Sequence, residues 1–197
     1  MNLDRILADL PAMQDSWTEA WHIRETRMQE DALLSYIQRN HWHNFQLWHE
    51  EDVARREDLP PERIRDAKRV IDRNNQLRND AVECIDEVLS AELPMKTTGR
   101  RHSETPGMMI DRLSILSLKI YHMNEQTRRT DVSATHVETC ARRLSVLLEQ
   151  RLDLHASLLM LLAEIRNGQA WFKLYRQFKM YNDPALNPQL YAKRSEA

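Results

Sequence analysis

Trp48 and Asp52 stand four residues apart, the spacing that sets an indole and a carboxylate one above the other on a helix. Glu50 and Glu51 lie between them and complete an acidic run with Asp52. A carboxylate beside an aromatic ring, partly withdrawn from water, can take a proton from an attacking water molecule. Asp52 is therefore the candidate general base, with Glu51 as a second candidate. The bland use of the run is a solvated helix face paired with Arg55, Arg56 or Lys68. Amides and a guanidinium within two turns add groups that hold hydroxyls: Asn44, Asn75, Arg78 and Asn79.

These side chains need two helices to bring them together. The stripe Leu34, Ile37, His41, Asn44, Trp48 and Asp52 predicts one helix over about Asp31 to Arg56. Asp58-Leu59-Pro60 breaks it, and Pro61 suits the first position of the next helix, which should run to about Leu89 or Ala91. Its stripe is Ile64, Ala67, Ile71, Asn75, Arg78, Val82, Ile85 and Leu89. So short a connection predicts an antiparallel hairpin, in which residues equidistant from the turn face each other. Trp48 then meets Ile71, Ile37 meets Val82, His41 meets Arg78, and Asn44 meets Asn75. Matched polar residues across an apolar seam either satisfy each other and fix the register or line a polar pocket. Asn40, Asn74 and Asn79 at the same level keep the pocket in view.

A metal site is not expected from the histidines of this stretch. His41 and His43 point about 200° apart on a helix, and His41 and His49 lie two turns apart without converging.

A second constellation opens another helix. Thr105 is a hydroxyl cap and Pro106 a first-turn proline, so a helix should run from there to about Met123. Free N–H groups at its start, with Arg100 and Arg101 upstream, outline an anion site; a well-capped helix explains the same residues. Gly107 in the first turn permits close approach of a ligand or of another backbone. Asp111, Ser114, Leu118 and His122 share one face, and Asp111 needs a partner if it is partly buried.

The longest helix is expected from Ser133 to Asn167, with Gly168 just past its end, and a seventh over Trp171 to Lys179. Earlier in the chain, one short helix should stop before Pro11 and another start near Ser16. Towards the end, Arg176, Lys179 and Asn182 stand among aromatic residues and can clasp an anionic or heterocyclic ligand, or simply tie the tail down. Counting equidistant residues across the pair that starts at Thr105 brings Gly107 near Gln150. Both polar clusters are thereby expected on one cavity, with Arg176 and Lys179 closing it.

Composition bounds the rest. Only three glycines occur in 197 residues, too few for hairpin turns or phosphate loops, so an all-α bundle of about six to seven helices without a sheet is expected. Residues 1–191 should form one domain, with 192–197 a short tail. A hydrophobic share of 42% excludes disorder, and mean hydropathy of −0.67 excludes a membrane protein. A net charge of −2 gives no pull towards nucleic acid polymers or anionic lipid. Cys84 and Cys140 fall singly in helical segments and the N-terminus carries no secretory pattern, so a cytoplasmic setting is expected.

The segments His43-Asn44-Phe45-Gln46-Leu47-Trp48-His49-Glu50-Glu51-Asp52, Glu104 to Met123 and Gln177 to Tyr191 resemble a bacterial all-helical family catalogued as domain-of-unknown-function family 4254. Asn75-Gln76 and Arg78-Asn79-Asp80 match its style. The likeness spans roughly residues 15 to 191. It implies an association with surface-polysaccharide assembly and, as a suggested activity, nucleoside hydrolysis. One departure is Arg101-His102 ahead of Ser103, where the family pattern has an asparagine.

Three functions are thus weighed. The first is hydrolysis of an N-glycosidic bond in a nucleoside-like small molecule, with Asp52 as base, amides on the ribose hydroxyls and Trp48 under the heterocycle. It requires no cofactor and leaves room for a divalent metal. The second is a non-catalytic binding or scaffolding module for polysaccharide assembly; an oligomer is compatible with either. The third, a Mg²⁺-dependent nucleotide pyrophosphohydrolase, needs carboxylates opposed on two helices, which the predicted register does not supply.

Overall fold

The computed structural model of the chain describes residues 3–24, 29–94, 96–177 and 185–188. It is 75% helical, an all-α bundle of six helices with one minimal sheet among the described residues. The helices are α1 (Leu3–Ala8), α2 (Leu10–Ile23), α3 (Ala32–Ala54), α4 (Pro61–Glu92), α5 (Pro106–Thr127) and α6 (Ala134–Arg166). α3 and α4 form one antiparallel hairpin, α5 and α6 a second, and α2 packs against α3 and α5.

Local chemistry sets most boundaries. Asp31 caps α3 by accepting from the Leu34 N–H at 3.1 Å, and Thr105 and Ser133 cap α5 and α6 in the same way. Pro61 opens α4, and Gly168, at φ 69°, takes the left-handed position after α6. Pro11 behaves differently from expectation. It sits inside the first turn of α2, where its missing N–H costs no bond, so α1 ends at Ala8 and α2 starts at Leu10 rather than Ser16.

Two departures occur at the edges. Instead of a sheet-free chain, β1 (Arg100–His102) pairs in parallel with β2 (Ala170–Phe172). The expected seventh helix is accordingly absent among the described residues up to Gln177, and Lys179 lies outside them. The reason is alternation: Ala170 and Phe172 point into the core, while the Trp171 indole N–H between them donates to the Gly99 carbonyl at 3.0 Å.

The core joins all six helices through Ile6, Leu10, Ile37, Ile85, Leu113 and Leu158, each at most 1% exposed. No helix among the described residues is long and apolar enough to cross a membrane. Cys84 and Cys140 are unpaired thiols.

Candidate functional site

A chain of buried polar groups threads the bundle where α2, α3 and α5 meet. His41 is fully buried; its Nε2–H points at the Gln14 carbonyl (2.9 Å) and the Thr18 hydroxyl (2.8 Å). Its Nδ1 accepts from Ser114 Oγ at 2.7 Å. Ser114 in turn accepts from the Asn44 amide at 2.9 Å. Asn44 and Asn40 both donate to Asp111 Oδ1, each at 2.8 Å. Asn40 and Asn44 are the partners that a partly buried Asp111 requires, and Arg78 is a further neighbour, with Nε at 3.8 Å. Burial pushes His41 down to about 3, so it is neutral.

The expected pairing of His41 with Arg78 is therefore not formed. The α3 stripe is wider than the hairpin seam, and His41 turns towards α2 and α5, which the two-helix register could not take into account. Across the seam itself His43 bonds Asn74 at 2.9 Å, and Glu50 bonds Arg63.

This network ends at a cavity of about 360 Å³ lined by Asn44, Trp48, Glu51, Asp52, Asn75 and Arg78. Six of the candidates named from the sequence thus share one wall. Trp48 and Asp52 also line a larger cavity of about 870 Å³ between α3, α5 and α6, together with Lys119, His122, Arg143 and Gln150. The two cavities adjoin around the indole, which stacks on His122 with ring centroids 4.7 Å apart. Asp52 is exposed rather than partly desolvated as expected, because α3 ends two residues later and leaves its last turn open. Glu51 is held by Arg55 at 2.7 Å. Lys68, a suggested partner of the acidic run, binds Asp72 instead.

The start of α5 belongs to another place. Asp86 of α4 lies against it, accepting from the Gly107 N–H at 2.6 Å and from the Thr105 hydroxyl. The expected anion is thus a carboxylate of the protein itself. Desolvation raises Asp86 to about 6, and its two hydrogen bonds only partly offset that. Gly107 admits backbone, not ligand: a Cβ there would lie 2.7 Å from the Val82 carbonyl oxygen. A small cavity of about 160 Å³ beside it is lined by Asn79, Thr105 and Arg176, among others. Arg176 pairs there with Glu83 and Glu87. Asn75 lies about 16 Å along α4 from Asp86, by the rise of 1.5 Å per residue. The two polar clusters therefore open on different cavities; Gln150 lines the larger one and also a groove of about 740 Å³ that it shares with Glu104, Met109 and Arg112 near the start of α5. Lys179 and Asn182 lie outside the described residues.

One arrangement has no counterpart in the sequence reading. His22 of α2, His49 of α3 and His122 of α5 meet with ring centroids 5.2, 5.4 and 5.7 Å apart. Burial, followed by the neighbouring His22 and His122, holds His49 below the usual histidine range. Among the described residues, these three rings are the group that could hold a metal. His41, His43 and His49 point three different ways, as the helical geometry requires.

The chain matches the family described as "Protein of unknown function (DUF4254)" over residues 34–174. It belongs to the DUF4254 family. The matched span contains Trp48, Asp52, Asn75, Arg78 and His122, while His22 and all of α2 precede it. No curated protein and no solved structure matches the chain. What the sequence reading missed is Lys119, Arg143 and the His22–His49–His122 cluster. Lys119 and Arg143 are brought together by the α5–α6 pair and the histidines by α2, α3 and α5, and the local signal was His122 on the Asp111 stripe.

Proposed function

We propose that this DUF4254 protein is a bacterial cytoplasmic hydrolase of a nucleoside-like small molecule, cleaving its N-glycosidic bond in the groove around Trp48. One observation carries the reading: Asp52 stands where two cavities adjoin, beside an aromatic pair and within reach of amides. The larger cavity has the size of a small-ligand site. Its Trp48–His122 stack offers a wall for a heterocycle. Asn44, Asn75 and Arg78 offer bonds to sugar hydroxyls on the other side. In the reaction, Asp52 takes a proton from water as the water oxygen attacks the anomeric carbon. The carbon–nitrogen bond breaks, the leaving base takes a proton from solvent, and Asp52 returns the proton it took to water. Lys119 and Arg143 at the cavity mouth favour substrates that carry a phosphate.

The test is release of free ribose from a panel of purine and pyrimidine nucleosides and their monophosphates. Asp52→Asn is expected to slow release by about 100-fold or more, the contribution of a general base. A panel with no turnover, or an Asp52→Asn protein as fast as the parent, overturns this reading.

A second reading, a binding or scaffolding module, is favoured by the outer face of α6. Leu148, Leu152 and Leu159 are 38, 70 and 38% exposed there, an apolar face on a helix that packs chiefly along α5. The opposed-carboxylate arrangement of a pyrophosphohydrolase gains no support. Asp80 bonds Gln76, and Glu83 is taken by Arg176.

A further inference from the structure

His22, His49 and His122 are brought to one point by three helices, and their orientation is fixed from outside. His22 Nδ1–H donates to the Thr18 carbonyl at 2.7 Å, and His122 Nδ1 contacts the Glu125 carboxylate at 2.7 Å. Both are the outer bonds that metal-binding imidazoles typically make, and both leave Nε2 free to ligate. The Nε2 atoms of His49 and His122 are buried and have no hydrogen-bond partner. A buried polar atom left unsatisfied costs about 1–3 kcal/mol. Two such atoms beside a third imidazole are satisfied together by a single cation. We propose that His22, His49 and His122 bind one divalent transition metal ion of the zinc class.

The chemistry of the donors selects the metal. Three neutral imidazoles suit Zn²⁺ and its borderline relatives, whereas Mg²⁺ and Ca²⁺ require oxygen. The candidate ligand atoms all lie within 4.8 Å of one another. At that spacing the centre of the triangle is at most about 2.8 Å from each atom, against about 2.0–2.1 Å for a zinc–nitrogen bond. An inward movement of about 0.7 Å per ring closes the difference. Asp52 and Glu125 add negative charge near His49, which favours a cation. His22 is exposed while the other two rings are half-buried, so the cluster borders solvent, from which a fourth ligand could enter. Three imidazoles and an open position make a site that binds and polarises water, not a closed structural one.

This inference stands apart from the hydrolytic reading, because its readout needs no substrate. The full chain, stripped with a chelator, is titrated with Zn²⁺ by calorimetry and with Co²⁺ by visible absorption. One ion per chain, a Kd of about 1 µM or tighter and a tetrahedral Co²⁺ spectrum are expected for such a ligand set. His122→Gln and His49→Gln should each weaken Zn²⁺ binding at least about 100-fold, more than an outer-shell loss. Glu125→Gln, at a half-exposed side chain that does not threaten folding, should weaken it about 10-fold. His43→Ala, whose ring faces Asn74, should leave it unchanged. A parent Kd weaker than about 100 µM overturns the proposal, since an intact three-imidazole site binds far more tightly. Equal affinity in Glu125→Gln and in whichever histidine variants fold also overturns it. Ribose release without metal binding would refute this site alone, and metal binding without ribose release would refute the hydrolytic reading alone.

Discussion

At the scale of single residues, His41 shows how a core can use a titratable side chain without exposing it. Its two ring nitrogens have fixed and opposite roles, donating to the Gln14 carbonyl and accepting from Ser114, so only the neutral form fits. The folded value of about 3 lies below the 6.5 of an ordinary histidine. A group depressed in this way contributes stability above pH 6.5 that is lost as pH falls from 6.5 towards 3. Asp86 acts in the opposite sense, since its raised value favours the fold on acidification from about 6 to 4. The difference between parent and His41→Leu isolates the histidine. Ser114 keeps its bond from Asn44 and Thr18 keeps its bond to Gln14, so the variant should fold. Between pH 6.5 and 5 the parent should lose about 1.5–2 kcal/mol more than His41→Leu in urea unfolding. Parallel pH profiles would mean that His41 is not held neutral in the core.

Among the elements, the approach of α5 to α4 leaves no room for a side chain at one position. It depends on Gly107, because a Cβ there would meet the Val82 carbonyl at 2.7 Å and Asp86 at 2.8 Å. Replacing glycine by alanine in a helix normally gains about 1 kcal/mol. Here the obstacle is backbone, which cannot swing aside, and overpacking costs about 1–3 kcal/mol. Overpacking should win, and Gly107→Ala is expected to lower the melting temperature by about 2–6 °C for a chain of this size. A rise in melting temperature would show that α5 can shift on α4 without loss. The helices themselves were legible from short-range signals: Asp31, Pro61, Thr105, Ser133 and Gly168 each act within one turn of the boundary they set. Pro11 departs from the expectation because the same residue can end one helix or begin the next. Which applies depends on whether Leu10 is drawn into the core, and that is not a local property.

Across the whole molecule, the two hairpins are tied by the short sheet. β1 lies in the connection from α4 to α5, and β2 follows α6, so their pairing fastens that connection to the end of the last helix. Gly99 allows the contact: a Cβ there would fall 2.5 Å from the Gln169 backbone. Gly99→Ala should separate the strands, and the amides of 100–102 and 170–172 should exchange at least about 10-fold faster, equivalent to about 1.4 kcal/mol of lost protection. Unchanged exchange would mean that the hairpins hold each other without the clasp. The helical class, the two hairpins and the shared wall of Asn44, Trp48, Asp52, Asn75 and Arg78 are legible in the order of the residues. Those follow from periodicity, caps and a short turn, all of which act over a few residues. Tertiary structure alone decided that His41 turns inward and that Asp86 fills the start of α5. It also brought His22, His49 and His122 together from three helices. Those outcomes depend on the rotation of one helix against another, which is set by the packing of the whole core rather than by any local run of residues.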